Sequence, residues 1–529
     1  MKRLLSLLLA LCLMLPVAAI AEDAEPTEYT SGDYTYILLE DGTAGITGYI
    51  GSADNLIIPS ELGGYTVTSI CNSAFSDCYS LVNVTIPGSI TTISSYAFDD
   101  CTNLVTVSFD DLPTPNVYLK FDSNENLTSI SETSNLATIG YRAFAFCESL
   151  TTIALPDSVT HIDSEVFYGC ENLGAISLPD SITHIGYEAF SFCNNLTSIN
   201  IPYNLISIEG NPFISCDKLT DIIISPDHPS IAMIDGVLFS KLEKRLVCYP
   251  CSGTAETYSI PYGIESIGEN AFMYCSNLTS VIIPESVIRI ENGAFDSCWD
   301  LSSVSLPNSI TYIGDCAFMD CALSSIVIPD SVAYIGDLAF HDCAFTSITI
   351  PDSVSSIGGN PFEECENLTD IVISPDHPVL ATIDGVLFSK TDKRLVCYPC
   401  TKTEDTYTIP QGIESIGARA FYCCGNLSSI SIPNSVSTIE NGAFVGCASL
   451  TSITIPDSVT KISSQAFAFC DSLTTVSIPA SVVSISSSAF EDCTNLGPII
   501  VERDSYAAQW CKDNGYEYTY TDANDWLNS

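Results

Sequence analysis

Two Cys-Tyr-Pro-Cys segments, Cys248 to Cys251 and Cys397 to Cys400, are the residues with the clearest capacity for chemistry. Two thiols separated by two residues can cycle between dithiol and disulfide if the first is a stabilised thiolate, as at a helix N-terminus that follows a strand. Here strand-like Arg245-Leu246-Val247 precedes the first motif, and Ser-Gly or Thr-Lys follows the two motifs, with no helical pattern. The segments therefore read as plain turns or as local disulfides of Cys248 with Cys251 and of Cys397 with Cys400. Thiol–disulfide exchange is the alternative. His228 and His377 stand alone in Ser-Pro-Asp-His-Pro turns, where a hydrogen-bonding role is expected rather than a catalytic one. There is no Ser/His/Asp pattern, no HExxH, no phosphate loop and no EF-hand loop. The reading is non-catalytic, with no cofactor and no metal site.

A third group of candidates is cationic. Lys241, Lys244 and Arg245 gather in one turn, and Lys390, Lys393 and Arg394 in another. Only 17 basic residues stand against 64 acidic ones, for a formal net charge of −47. These six are candidate ligand-binding residues for an acidic polymer or glycoprotein. The remaining surface excludes nucleic acid and anionic lipid headgroups, since both require clustered Lys and Arg.

The elements that must position these residues are a duplicated segment. Asn211-Pro212-Phe213, Asp235-Gly236-Val237-Leu238-Phe239 and the first Cys pair recur as Asn360-Pro361-Phe362, Asp384-Gly385-Val386-Leu387-Phe388 and the second. In each copy a hydrophobic run, a basic turn and a second run give a hairpin pattern. Two protruding β-hairpins are expected, in modules at about 211–260 and 360–409, with Phe239 and Phe388 marking equivalent coils.

Around the modules the chain is periodic. Phe75, Phe98, Phe121, Phe144, Phe167, Phe190 and Phe213 are 23 residues apart, and the same spacing returns from Phe272 to Phe318 and from Phe421 to Phe490. The unit reads Ile-Pro-x-Ser-Val/Ile-x-x-Ile, then Ala-Phe-x-x-Cys, then Leu and Ile. In Ser452-Ile453-Thr454-Ile455 alternation puts both isoleucines on one face, and Pro456 ends the strand. Val459 to Ile462 suggests a second short extended piece, and Ala466-Phe467 a single helical turn ending near Cys470. One coil cannot bury its apolar face alone, whereas stacked coils share a core. About 18 coils are expected, forming a solenoid of parallel strands with short helical turns.

This pattern resembles the leucine-rich-repeat superfamily, specifically its BspA-like branch, over nearly the whole chain. It departs from the common form where Ser158, Ser181, Ser286, Ser309, Ser331, Ser353, Ser435, Ser458 and Ser481 stand near the usual turn Asn. A serine ladder bonding neighbouring backbone is expected there. Cys147, Cys170, Cys193 and their equivalents read as buried, unbonded thiols.

Residues 1–21 read as a secretory signal peptide, with Lys2 and Arg3 before an apolar run and Ala19-Ile20-Ala21 at the cleavage site. Residues 22–66 read as an N-terminal cap, 67–500 as the solenoid and 501–529 as a C-terminal cap, with a helix over Ser505 to Lys512 and a closing strand over Tyr516 to Tyr520. The resemblance implies a secreted or cell-surface, adhesin-like protein that recognises host or matrix proteins or glycoproteins. A structural surface spacer is the alternative. The outward strand positions Asn200, Ser305, Thr349, Ser431, Thr454 and Ser477 are small and polar. They lack the Trp, Tyr and Arg anchors of tight interfaces.

Overall fold

The computed structural model describes residues 27–94, 96–110, 121, 124–130, 137–251 and 255–522. The expected signal peptide lies outside them. The chain winds into a solenoid of about 20 turns, mostly of parallel strands. Coils contribute to two in-register ladders. Thr152–Ala154, Ala175–Ser177, Ser198–Asn200 and Asp221–Ile223 follow one another in the first; Thr138–Ile139, His161–Ile162, His184–Ile185 and Ser207–Ile208 do so in the second. The repeat sets the register, so that Ile153 pairs with Ile176 and Ile176 with Ile199. Alternation decides burial: in Ser452–Thr454 the ends are exposed and Ile453 is buried.

Aromatic stacking runs along the core. Phe295 is fully buried between Phe272 and Phe318, with ring centroids 4.8 and 5.2 Å away. The amide of Phe272 donates to Ala294 O of the next coil at 2.9 Å. The expected helical turn around each Phe is instead a pair of tight turns. Gln465 (φ 53°) and Phe469 (φ 57°) bracket Phe467, and a left-handed residue on each side stops a helix from propagating.

Among the described residues the one α-helix is Tyr506–Asp513. Ser505 Oγ caps it by accepting from Ala508 N at 3.1 Å, and Ala507, Ala508, Trp510 and Cys511 are its buried residues. Tyr518–Tyr520 then closes the ladder against Ile499–Val501. At the other end Glu28–Ser31, Tyr34–Leu38 and Ala44–Tyr49 form an antiparallel meander, whose last strand joins Tyr65–Ile70 in parallel.

The ladder thiols have a structural use. Cys170 Sγ donates to Phe144 O at 3.0 Å, Cys193 to Phe167 O at 3.2 Å and Cys298 to Phe272 O at 3.0 Å. Each ties one coil to the backbone of the coil before it. Burial pushes the Cys170 thiol up to about 12, so it stays protonated and inert. The serine ladder forms in part. Ser181, Ser309 and Ser331 donate to Val159 O, Val287 O and Ile310 O at 2.6–2.7 Å. The buried hydroxyls of Ser158, Ser353, Ser458 and Ser481 make no such bond.

Candidate binding surfaces

Each module replaces one short strand by an antiparallel meander. Ile231–Ile234, Val237–Ser240 and Arg245–Cys248 pair in that order, and the third strand joins Ser266–Ile267 in parallel. Leu380–Ile383, Val386–Ser389 and Arg394–Cys397 repeat this against Ser415–Ile416. The hairpins do not protrude as expected. Every residue of Val237–Ser240 and Val386–Ser389 is buried, because their side chains are apolar on both faces. Leu238 packs with the preceding core, and Val237 and Phe239 with the following one. The two meanders thus act as walls that divide the hydrophobic core into three parts. The turns at 241–244 and 390–393 reach solvent, as do Ile234 to Gly236 and Ile383 to Asp384 at the opposite ends of the meanders.

The inserted coils carry their ring-ladder position on Tyr249 and Tyr398, not on Phe239 and Phe388. Tyr249 stacks on Phe272 at 5.0 Å and Tyr398 on Phe421 at 5.1 Å. Tyr249 lies one repeat before Phe272, a phase hidden in the sequence by the change of ring and the missing Ala. Asn211 reaches past this abbreviated coil. Its Nδ2 donates to Asn270 O at 3.0 Å, and its Oδ1 accepts from Phe213 N at 3.0 Å. Asn360 repeats both contacts, with Arg419 O at 3.0 Å and Phe362 N at 3.2 Å.

All six candidate cations have partners within the protein. Lys244 pairs with Glu265 at 2.6 Å, and Lys393 with Glu414. Lys241 and Lys390 donate to the carbonyls of His228 and His377. Arg245 pairs with Glu243 at 2.7 Å and donates to Ile208 O at 2.6 Å. Ile208 ends the preceding short-strand sheet, so this guanidinium spans the break that the module makes. Arg394 does the same at the second break, to Ile357 O at 2.8 Å and Gly358 O at 2.9 Å. His228 is buried with Nδ1 accepting from Ser230 N and Ile231 N, which leaves Nε2–H for Pro202 O at 2.9 Å. His377 repeats this with Pro351 O at 3.0 Å. Neither ring has a nitrogen left for proton transfer.

The Cys-Tyr-Pro-Cys segments do not form their expected local disulfides. Cys251 is bonded to Cys275 of the next coil, which makes Cys275 an exception to the expectation that the ladder thiols are unbonded, while Cys248, Cys397 and Cys400 carry no disulfide. Cys248 lies at the end of its strand with its side chain in the core, so it does not face Cys251 across the turn. Burial raises the Cys248 and Cys397 thiols strongly. Neither is an accessible thiolate.

The tight-turn face carries a feature the sequence reading missed. Phe146, Tyr168, Phe192, Tyr274 and Trp299 form a continuous row, with successive centroids 5.4, 5.1, 6.3 and 6.0 Å apart. Phe146 is 38% and Trp299 54% exposed, and the other three are half-buried. Phe146, Phe192 and Tyr274 have φ near 60° at a position that Gly169 and Gly446 fill in other coils. Other coils put Asp77, Ser215, Asp320 or Asp492 there with the same left-handed backbone, so the turn itself does not call for a ring. Glu188, Asp296 and Asp320 flank the row closely enough to raise the Tyr274 hydroxyl, after burial. Burial pushes Asp296 itself up to about 6. A depression beside Trp299 is lined by Asp320, Asp342 and Glu366. The signal in the sequence was an aromatic at the second position after the ladder Phe, where a solvated turn calls for Gly or Asp.

The strand face is less uniformly polar than expected. Ile57, Ile223, Ile282, Val327 and Val372 are exposed on or beside its strands, among the small polar residues.

A family model described as BspA type leucine rich repeat region (6 copies) matches residues 52–115, 118–244, 247–315, 289–405 and 394–507. Among solved structures, the chain is similar to a leucine rich cell surface protein from Faecalibacterium prausnitzii A2-165, at 26% identity over 94% of this chain and 99% of that one, with a TM-score of 0.35. The T. pallidum leucine rich repeat protein is 31% identical over 36% of this chain and 91% of that one, with a TM-score of 0.33. The pneumococcal vaccine antigen PcpA is 19% identical over 94% and 98%, with a TM-score of 0.40. No curated protein matches the sequence.

Proposed function

We propose, from the premise that this chain belongs to the BspA-type leucine-rich-repeat family, that it is a non-catalytic, adhesin-like binding protein, secreted or held at the cell surface. Its partners are host or matrix proteins or glycoproteins. The observation that carries this reading is the row of half-exposed rings from Phe146 to Trp299 on the tight-turn face. Aromatic side chains dominate the energy of protein interfaces because they bury large areas at little entropic cost. Under this reading the six basic residues brace the modules, and capture of an acidic polymer is a lesser reading favoured only by the exposure of the two turns. No helix among the described residues is long and apolar enough to cross a membrane.

The test is adsorption of the full exported chain to a fixed panel of extracellular-matrix proteins, host glycoproteins and bacterial surface polymers. Three proteins are compared: the parent, the variant Phe192→Ala, Tyr274→Ala, Trp299→Ala, and a variant with Lys241, Lys244, Arg245, Lys390, Lys393 and Arg394 all replaced by Ser. Loss of capture in the aromatic variant alone supports the reading. Loss in the six-fold variant alone moves the site to the turns. No capture by the parent leaves the surface spacer.

A further inference from the structure

We infer that the aromatic row seats an arginine-rich, extended segment of a partner protein, each guanidinium lying on a ring and pairing with a flanking carboxylate. This rests on the row being the binding surface proposed above.

The protein's own arginines display the chemistry. Arg289 Cζ lies 3.8 Å from the Tyr312 ring centroid while its Nε is 2.8 Å from Glu291. Arg503 lies 4.3 Å from Tyr520 and pairs with Asp522 at 2.7 Å. Arg142, at the start of the row, lies 5.3 Å from Phe146 and 3.4 Å from Glu165. Arg419 lies 5.8 Å from Tyr422 and 3.0 Å from Glu363. In each case a planar cation takes the negative face of a ring, and a carboxylate fixes its edge. Tyr274 and Trp299 have rings with carboxylates beside them, Asp296, Glu188 and Asp320 around the first and Asp320, Asp342 and Glu366 around the second, and Phe192 extends the row. Among the described residues, no cation lies over any of them. What is missing from the arrangement is the guanidinium, and on a chain of net charge −47 a partner is the natural source of it.

Spacing narrows the partner further. The centroids from Phe192 to Tyr274 and from Tyr274 to Trp299 are 6.3 and 6.0 Å apart, with the ring planes turned 65° and 43° from one another, so a seated chain must present each guanidinium at a different tilt. An extended chain rises ~3.3 Å per residue, so alternate side chains on one face are ~6.6 Å apart. The row therefore matches Arg-x-Arg-x-Arg in an extended conformation. It does not match three consecutive arginines, which point to opposite faces.

The experiment titrates the full chain with two peptides of identical composition, Ser-Arg-Ser-Arg-Ser-Arg-Ser and Arg-Arg-Arg-Ser-Ser-Ser-Ser, at physiological salt. Binding is followed by calorimetry and by tryptophan emission. Both peptides carry the same charge, so general attraction to an acidic surface cannot separate them. The alternating peptide should bind roughly tenfold tighter than its isomer, as two or three ring contacts of modest strength require. That preference should vanish in the Phe192→Ala, Tyr274→Ala, Trp299→Ala variant, whose charge is unchanged. It should persist in a control with the exposed rings Tyr79, Tyr203 and Tyr262 changed to Ala. Trp299→Ala alone, at an exposed site, should weaken the alternating peptide if the triple variant misfolds. Equal binding of the two isomers, or a preference that survives the triple variant, overturns the inference. If the triple variant loses its panel ligands but never distinguished the peptides, the binding surface stands and the arginine chemistry falls. If it loses neither, both fall.

Discussion

Replacing Asn211 by Ala removes a side chain that is 2% exposed and makes two bonds, one across the first module to Asn270 O and one local, from Phe213 N. The consequences at its two partners differ. Asn270 O keeps the amide of Met273 at 3.1 Å and loses little. Phe213 N loses its acceptor, Asn211 Oδ1, inside the core. A buried donor left without a partner costs ~1–3 kcal/mol, so Asn211→Ala should destabilise by about that amount. Asn360→Ala should match it, because Arg419 O likewise keeps Tyr422 N at 3.1 Å while Phe362 N is orphaned. The double variant should lose the sum, since distant sites without shared partners add within a few tenths of a kcal/mol. Solenoids open locally rather than all at once, so hydrogen exchange is the appropriate assay. The amides of Phe213 and Phe362 should exchange about tenfold faster or more, each only in its own variant, and the urea midpoint should fall. A cost below about 0.5 kcal/mol with Phe213 still protected would refute the idea that Asn211 holds the abbreviated coil in place.

Three further outcomes follow from the same geometry. Burial pushes Glu363 from its ordinary 4.5 up to about 7, although Arg419 pulls it down. The folded chain then holds a proton that the unfolded chain releases between those values. The stability this group contributes is full below about pH 4.5 and is lost as pH rises through about 7, with a ceiling of about 3 kcal/mol at ~1.4 kcal/mol per unit. Glu363→Gln should flatten that stretch of a urea-midpoint profile relative to the parent. Lys244→Ser should cost less than about 1 kcal/mol, being half of an exposed pair, whereas Arg245→Ala should cost about 2 kcal/mol or more by leaving Ile208 O and the sheet break uncovered; equal losses in thermal melts would contradict the bracing role. Mass mapping of the non-reduced protein should recover a Cys251–Cys275 peptide, with Cys170, Cys193 and Cys298 alkylated only after unfolding.

The coil architecture was legible because it repeats. A 23-residue phase with Ile, Phe and Cys at fixed places specifies parallel, in-register stacking whatever the intervening residues are. The C-terminal helix was legible from Ser505 and the apolar positions behind it. The modules were misjudged for a physical reason. Val-Leu-Phe-Ser beside a basic turn has the local pattern of a free hairpin, and only the three-dimensional path shows that both its faces meet core. Tyr249 and Tyr398 kept the ring phase under a different residue type. The basic residues looked unpaired because Glu265, Glu414, Ile208 O and Ile357 O are remote in sequence from them. The aromatic row was legible only in part: Phe146, Phe192 and Tyr274 share the second position after the ladder Phe, but Phe192 and Tyr274 become neighbours only because the chain closes up across the module, where Asn211 joins Asn270.

The central claim is that macromolecules bind along the tight-turn face. Its most direct test is hydrogen exchange of the full chain with and without its tightest-binding member of the protein and glycoprotein panel. Protection is expected at the turn segments around 142–147, 166–170, 190–194, 272–276 and 297–301, with the strands Ala175–Ser177, Ser198–Asn200 and Ser280–Ile282 unchanged. Protection confined to those strands, or to the basic turns at 241–244 and 390–393, would contradict it.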